Sequence, residues 1–560
     1  MKQLVRYCFF SAIVILAAAS CKSPVPEQTK YIPKDASFVL DFNSKSLSEK
    51  CASGNINFDS LIHEVTELDK NVGLQSAKEW TDFKNSGVDL DNHIFMFVET
   101  GGSIMSGQST TVALVGLMKD KQKFETYIKN HPEFGEQQNE SGYSYVSSEN
   151  SVAIGWNNNV AIAAFVEKGN TEGDKSKIPG ATQTLTRLFA QKETEAVTSI
   201  PEFRELMGQT ADILTWNNSS NIFNSIPLLS FSKLADLFKD SYSSGYWNFE
   251  NGKITGNYTS YSGKDLADIM KKNAGPVADM ALVNQYPYPA QGFAVFSFKP
   301  QIILDIIKYS NLESTVAQAL NETGFTADDV IKVFKGDFAV VFSGIGMQQQ
   351  SYEINGQKIN MTAPSAKIVI NAAIGDKAAY DKIVKSLAEK GLMIEQNGQY
   401  VPATLGGFTW NMDGKNLVIT NDNELAQQYL AAKGNASLPA DVADKIKGKA
   451  VGFYVNIGSI LQGFPADSAS LMKTTLEHAK NTFKDAVATS ENFDGKSVKG
   501  SFEVRFVNEK ENSLVSLINF ISSAAKDVKQ EMDERKNRGM TDMDSMVEPP
   551  AEQVPPPPTK

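Results

Sequence analysis

Histidine, serine and carboxylate residues are the usual components of hydrolytic and metal sites, and in this sequence they do not cluster. The four histidines lack the paired spacing of zinc ligands, and they are His63, His93, His131 and His478. No serine stands in a nucleophile motif within a strand-turn-helix context. Gly344-Ile345-Gly346 lacks the Lys and Ser or Thr of a phosphate-binding loop and is predicted to be an ordinary loop. The sequence therefore predicts no catalytic residue, metal or cofactor, although carboxylates distant in sequence can still meet in space.

Cys21 is the residue whose surroundings indicate a specific chemistry. It follows Ala18-Ala19-Ser20, at the end of an apolar stretch that begins after Lys2 and Arg6. That stretch is shorter than the roughly 20 apolar residues needed to cross a bilayer, so residues 1–20 are predicted to be a signal peptide. The run resembles a bacterial lipobox, in which the cysteine thiol takes a diacylglyceryl group and the new amino terminus is acylated. Several acyl chains would hold the protein durably to a membrane, whereas an ordinary secretory signal followed by a chance cysteine is the alternative.

Residues 21–31 are predicted to be the lipidated cysteine and a tether. The segment KSPVPEQTKY contains two prolines and few apolar groups, and ten extended residues reach roughly 30 Å. Lys22 after the cysteine, together with a tether that carries no acidic cluster, favours an outer-membrane, periplasm-facing position.

Composition narrows the remaining function classes. The chain carries 54 basic and 65 acidic side chains, a formal charge of −11, which disfavours nucleic acid as a partner. After removal of the leader, Cys51 is the only cysteine besides Cys21, so no internal disulfide framework is expected. Cys51 is predicted to be a buried or partly buried thiol rather than a nucleophile.

An internal repeat organises the rest of the chain. Matched residues occur in the same order at offsets of 256, 254 and 244, and they include Val39 with Val295, Asp120 with Asp376, Trp156 with Trp410, Gly256 with Gly500, and Tyr258 with Phe502. We therefore predict a tandem duplication, with a first unit at residues 32–265 and a second unit at residues 286–508. Each unit exceeds the usual domain size, so each is either one large domain or two small ones.

Short apolar runs of strand length alternate with helical stripes in each unit. Val160 follows an Asn-rich turn after Trp156, and Asn411 to Lys415 forms a similar turn in the second copy. Such turns join adjacent antiparallel strands. Asn251-Gly252 and Asp494-Gly495 have the same character. The predicted fold class is α+β, with two duplicated units of mainly antiparallel sheet and packed helices.

The helices have readable ends and faces. Phe124, Tyr127 and Ile128 form a stripe that predicts a helix packed on a sheet, and Thr326 with Asp329 predicts a capping box. Residues 509–538 are predicted to form a C-terminal helix that docks by its first half, and residues 539–560 a disordered, proline-rich tail.

The opening IPKDASFVLDFNSKSLSEK, from Ile32 to Lys50, together with the lipobox and the short tether, resembles a family of uncharacterised Bacteroidetes lipoproteins, domain of unknown function 4836. The resemblance implies membrane anchoring and the two-unit organisation, and it brings no known activity.

We therefore expect a non-enzymatic envelope lipoprotein that binds or scaffolds an envelope protein or glycan, with the membrane as its partner through the lipid. An envelope hydrolase with a spatially assembled site, or a glycan or peptide binder, are the alternatives. Trp156 and Trp410 are the candidate ligand-facing aromatics, although their equivalent places in the repeat favour packing. Trp216 and Trp247 are further candidates.

Overall fold

The protein is described here from a computed structural model. It covers residues 25–57, 81–103, 107–148, 151–168, 180–220, 233–354, 357–396, 399–402, 408–464 and 473–537. The predicted signal peptide, Cys21, His63 and the predicted tail lie outside these ranges. Within them the chain is α+β, as predicted, with one large antiparallel sheet and packed helices. Among the described residues, no helix has the length and apolar character needed to cross a membrane.

The strands of the first unit are short and rich in β-branched and aromatic residues. They are β1 (Phe38–Asn43), β2 (Val88–Asp89), β3 (His93–Ser103), β4 (Gly107–Met118), β5 (Gln138–Glu140), β6 (Tyr143–Ser148), β7 (Val152–Trp156), β8 (Val160–Lys168), β9 (Ile213–Asn218), β10 (Tyr242–Glu250) and β11 (Lys253–Tyr261). Those of the second unit include two longer strands. They are β12 (Gly292–Ser297), β13 (Phe334–Ile354), β14 (Gln357–Ile374), β15 (Met393–Gln396), β16 (Gln399–Pro402), β17 (Thr409–Met412), β18 (Asn416–Thr420), β19 (Val451–Val455), β20 (Phe483–Ser490) and β21 (Ser497–Phe506).

The helices fall between these strands and after the last one. They are α1 (Ser44–Ser53), α2 (Lys121–Lys129), α3 (Ala181–Phe189), α4 (Pro201–Met207), α5 (Leu234–Leu237), α6 (Lys264–Lys272), α7 (Ala281–Asn284), α8 (Gln301–Tyr309), α9 (Glu313–Asn321), α10 (Ala327–Val333), α11 (Lys377–Glu389), α12 (Asn423–Leu430), α13 (Ala440–Ile446), α14 (Ile457–Gln462), α15 (Lys473–Thr482) and α16 (Ser513–Asn537). Short 3-10 helices lie at Glu27–Tyr31, Pro132–Phe134, Glu193–Glu195 and Val197–Ser199.

The paired strands form one continuous antiparallel series. In the first unit the order is β5-β6-β7-β8-β4-β3-β1-β9-β10-β11, and β2 pairs with β4. In the second unit it is β17-β18-β14-β13-β12-β19-β20-β21, while β15 and β16 form a separate pair. The two units meet where β11 pairs with β21. The eight strands β1, β3, β4 and β7–β11 can be matched in chain order with β12–β14 and β17–β21. Matched in this way, the two sets have the same order in the sheet.

Each unit buries its main core on the same side of the sheet, which we call the core face. Directly opposed residues of paired strands share a face, and a series of such pairs links Leu214 on β9 through Asn257 and Ser501 to Val295 on β12. Helices α3 and α4 cover this face in the first unit, and α7, α12 and α13 cover it in the second. Side chains such as Phe95 and Phe293 are fully buried there, and each contributes about 1.5–3 kcal/mol.

The predicted turns and cap are confirmed. Asn157 closes the β7–β8 hairpin because its side-chain oxygen accepts from the amides of Asn159 and Val160, and Asp413 does the same between β17 and β18. Gly252 turns β10 into β11 with a φ of 69°, and Asp494 caps the turn before β21. Helix α10 starts at the predicted capping box of Thr326 and Asp329.

The predicted tether differs from the structure over its second half. Glu27–Tyr31 forms a 3-10 helix in which Thr29 is fully buried, and Val25 packs against the first core. The Gln28 side chain donates to the main-chain oxygen of His93 at 2.8 Å. Polar composition alone predicts an extended segment, whereas these contacts dock it on the body. Residues from Val25 to Tyr31 are therefore part of the folded body rather than of a tether.

The last helix begins and ends within the range predicted for it. Leu514 and Ile518 are buried against α1 and the sheet, with Leu517 partly buried beside them. Ile521, the fourth residue of the predicted stripe, is instead 47% exposed. The packed part of α16 is therefore shorter than the apolar stripe.

Candidate functional site

The two candidate ligand-facing tryptophans face packed helices instead of solvent. Trp156 is fully buried, and it packs edge-on against Phe124 of α2 with ring centroids 5.4 Å apart. Trp410 is half-buried beside α11, where its indole nitrogen donates to the hydroxyl of Tyr380 at 2.8 Å. Trp156 therefore has the packing role that its place in the predicted repeat favours over ligand contact, and Trp410 packs against a helix as well.

The described titratable residues form no group of three or more that could hold a metal ion. Cys51 is buried, as predicted, and burial raises the pKa of its thiol. His93 and Asp41 form a histidine–carboxylate pair in which the imidazole Nδ1 of His93 lies 2.9 Å from a carboxylate oxygen of Asp41, and His131 forms a second, exposed pair with Glu133 at 2.8 Å. The hydrogen bond to Asp41 raises the pKa of His93. Because Asp41 is buried, the pair holds the end of β1 against β3.

The side of the sheet opposite the core face carries a continuous apolar surface, which we call the apolar face. One row of directly opposed residues crosses it through Leu40, Thr215, Gly245, Tyr258, Gly500, Ser490, Val451 and Phe296. The neighbouring row runs through Phe42, Ile213, Trp247, Gly256, Phe502, Ala488, Phe453 and Ala294. The two rows pass from the first unit into the second without interruption.

Several large apolar side chains on this face are exposed to solvent. Their relative exposures lie between 37% and 43%, and the residues are Leu114, Phe165, Trp247, Tyr258, Ile370, Val451 and Phe453. Among the described residues, α2 covers this face over Trp156 at one end, α11 covers it over Leu417 at the other, and α1 and α16 cover it over Ile213, Phe249 and Ile254. A large exposed apolar patch marks a binding surface more often than it marks a packing defect.

Glycines and aromatic rings interlock at the centre of the apolar face. Gly256 lies opposite Phe502, and a Cβ atom on it would lie 2.1 Å from the phenyl ring. Gly500 lies opposite Tyr258, and its added Cβ would lie 2.2 Å from the phenol ring. Trp247 packs edge-on against Phe502 at 4.7 Å between centroids. These residues leave a flat aromatic surface at the junction of the two units.

The core face of β11 and β21, opposite these aromatic rings, is polar. On the core face of β11 and β21 lie Asn257 opposite Ser501, and Lys253 opposite Arg505. Arg505 forms ion pairs with Asp441 and Asp485. At the junction, then, the polar residues occupy the face on which the two cores lie, and the partly exposed aromatic residues occupy the opposite face. This is the arrangement expected if the apolar face contacts something other than water.

A cavity of about 850 Å³ opens beside the apolar face of the first unit. Phe42 and Ile94 of the face form its floor with Leu47 of α1. The rim is charged but balanced, since Lys119 pairs with Asp91 at 3.1 Å and Lys123 lies 3.9 Å from Asp120. An apolar floor with a polar rim is typical of a small-molecule site.

Comparison with known proteins places the chain in a family. The model of the family described as "Domain of unknown function (DUF4836)" matches residues 28–514. The chain belongs to this family. It has no match among curated proteins. Two crystal structures of TP0453, forms III and IV, are similar with a TM-score of 0.25 and 12% identity, covering 43% of this chain and 82% and 83% of theirs. Form I of TP0453 matches with a TM-score of 0.24 and 14% identity, covering 43% of this chain and 81% of its own.

Proposed function

We propose that this DUF4836 protein is a lipid-anchored envelope protein of a Gram-negative bacterium of the Bacteroidetes. Its duplicated body binds or scaffolds another envelope component and catalyses no reaction. The observation that carries the proposal is the exposed apolar face, which crosses both units and centres on the aromatic rings of Trp247, Tyr258 and Phe502. A surface of this kind costs solubility unless it has a partner.

The matching strand order of the two units supports the duplication. The junction adds to this support because it is reciprocal: Gly256 faces Phe502, and Gly500 faces Tyr258. At the repeat offset of 244, Gly256 corresponds to Gly500 and Tyr258 to Phe502, so each unit presents a glycine and an aromatic residue at matched positions to the other. Two equivalent surfaces that meet about a two-fold axis contact each other in this way.

The anchoring part of the proposal rests on Cys21 and on the docked N-terminal segment. Since Val25 packs against the first core, only three residues separate the proposed lipid attachment from the body. The body would therefore stay within about 14 Å of the attachment point, and a partner would be met at the membrane surface.

Two experiments on the full chain test the proposal. Mass spectrometry of the mature amino terminus should find Cys21 acylated, and an unmodified terminus or a cytosolic protein would contradict the anchoring. A photo-crosslinking amino acid in place of Phe453 should capture an envelope component in living cells. The same group in place of Leu392, which is 57% exposed and lies outside the apolar face, is the matched control. Equal capture at both positions would remove the apolar face as the binding surface.

A hydrolase is the alternative, and among the described residues the histidine–carboxylate pair with a buried acid that it could use is His93 with Asp41. Asp41 is buried and the pair is explained by packing between β1 and β3. Against a panel of ester, amide and glycoside substrates, His93→Gln should behave as the parent protein. Activity in the parent that this substitution abolishes would favour the hydrolase.

A further inference from the structure

We infer that the apolar face and the adjoining cavity hold acyl chains of lipids from the membrane to which the protein is attached. The inference rests on the proposed function, because it takes the anchored binding protein as given and names the chemical class of its ligand. Three features of the described residues point to hydrocarbon chains: the chemistry of the surface, its extent, and its distance from the anchor.

The chemistry of the surface favours a ligand that makes no hydrogen bonds. The exposed residues lie on interior strands such as β10, β11, β19 and β21, whose main chains pair with a strand on each side. A peptide that binds by strand addition needs an unpaired edge, which these strands lack. The side chains in the two central rows are apolar or small, with Thr215 and Ser490 as the polar exceptions. A hydrocarbon chain, which neither donates nor accepts hydrogen bonds, is the ligand that matches such a surface.

The extent of the surface suits an extended chain. From Leu40 on β1 to Phe296 on β12 the row crosses seven strand-to-strand steps. At about 4.8 Å for each step this spans about 34 Å. The hydrocarbon of one membrane leaflet is about 15 Å thick, so the row is long enough for an extended acyl chain on each unit.

The cavity lies at the end of the sheet where the anchored segment joins the body. Gln28 donates to the main-chain oxygen of His93, at the start of β3. Asp91 and Ile94, on either side of this position, line the cavity. With about 14 Å of chain between Cys21 and Val25, the cavity would be held next to the bilayer. Its balanced Lys119–Asp91 and Lys123–Asp120 rim carries both signs of charge, as does a zwitterionic lipid headgroup.

Trp247 provides an intrinsic probe of this surface. It is 37% exposed on the apolar face, whereas Trp156 and Trp216 are buried. Bromine atoms on an acyl chain quench a tryptophan only on close contact. The full chain carrying Cys21→Ala, which removes the proposed lipid, is therefore titrated with phosphatidylethanolamine vesicles whose acyl chains are brominated. We expect quenching that is largely lost when Trp247→Phe is added.

Variants of the face test where the chain binds. Phe453→Asp should lower the affinity for the vesicles by about tenfold. An aromatic side chain that becomes buried against lipid contributes at least the free energy that corresponds to this change. Leu392→Asp, at an exposed apolar position outside the face, should titrate as the parent does. Thermal unfolding followed by circular dichroism shows whether Phe453→Asp remains folded, and Tyr258→Ser on β11 provides a second, milder variant.

Three results would overturn the inference. Quenching that is the same with and without Trp247 would place the lipid elsewhere. Quenching or lipid retention seen only when Cys21 is acylated would make the protein's own anchor the occupant. Capture of protein and no lipid at position 453 would assign the face to a protein partner. In the last two cases the anchored binding function survives, whereas an unmodified amino terminus would remove that function whatever the lipid titration gives.

Discussion

A carboxylate is buried on the core face near the end of the first strand of each unit, Asp41 in one and Asp337 in the other, and the two have different partners. In the first unit Asp41 lies on β1 and is held by His93 on β3. In the second unit the matching position of β12 is Ser297, and the acid lies directly opposite it, as Asp337 on β13. Lys335 completes this site at 2.7 Å. The buried carboxylate thus lies on the first strand in one unit and on the neighbouring strand in the other, and it faces the core in both.

The comparison indicates what the fold requires at this point and what it leaves free. Both sites keep a buried carboxylate with a neighbouring cation, as a buried charge needs. The cation is an imidazole in one unit and an ammonium group in the other, and only the imidazole titrates near neutral pH. Asp337 also has the Ser297 hydroxyl at 2.6 Å, so it depends less on its cation than Asp41 does.

The largest expected effect separates the two sites directly. His93→Ala leaves the Asp41 carboxylate buried without its cation and should lower the free energy of unfolding by about 3 kcal/mol at pH 7. Lys335→Ala should cost about 1 kcal/mol or less, because Asp337 retains Ser297 and the Lys335 side chain is 63% exposed. Urea unfolding of the two variants measures both values. Equal losses would contradict the difference drawn between the units.

The second prediction tests the equivalence of the units at their junction. Gly256→Ala and Gly500→Ala should each lower stability by about 2 kcal/mol, because each added methyl group meets the ring of Phe502 or Tyr258. Gly101→Ala is the control, since its methyl group would approach only the Ser109 hydroxyl at 3.2 Å. Thermal unfolding compares the three. The double variant Gly256→Ala with Phe502→Ala should lose less than the two single losses together, and strict additivity would argue against the interlocked geometry.

Local features of this fold could be predicted from sequence, and its central surface could not. Asn157, Asp413 and Thr326 act within a few residues of themselves, so short-range chemistry is enough to predict their turns and cap. In β1 the residues of both faces are apolar apart from Asp41 and the terminal Asn43, so the sequence pattern of β1 does not tell a buried face from an exposed one.

The predicted repeat included the residues of the junction, but sequence alone could not show that they meet. Gly256 with Tyr258 and Gly500 with Phe502 are matched positions, but their contact joins strands about 240 residues apart. The prominent Trp156 and Trp410 pair drew attention to a packing position instead. Gly344 to Gly346, predicted to be a loop, forms an irregularity inside β13 where Gly346 contacts Gly463. Pairing between strands distant in sequence determines both the junction and the conformation of the Gly344 to Gly346 segment.

The third prediction concerns pH and distinguishes the units by sign. The pKa of His93 is raised above its ordinary value near 6.5 by the hydrogen bond to Asp41, so between the two values the folded protein binds more protons than the unfolded chain. The contribution of His93 to stability should therefore be fully present below pH 6.5 and should be lost as pH rises through the raised pKa. Urea midpoints across this range should show that decline in the parent and in Lys335→Gln. His93→Gln should lack it, and an unchanged decline in that variant would assign the titration to another group.

The smallest effects compare two caps at matched positions of the repeat. Asp120 starts α2 by accepting from the amide of Lys123, whereas Asp376 starts α11 by accepting from the amides of Ala378 and Ala379. Loss of such a cap costs about 1 kcal/mol, so both alanine variants should lower the unfolding free energy measurably. Asp376→Ala should cost more, because two amides lose their acceptor rather than one. The reverse order would mean that Asp120 is stabilised chiefly by its surroundings at Gly87, whose carbonyl accepts from the Asp120 amide at 2.9 Å, and that matched sequence positions in the two units do not share one physical cause.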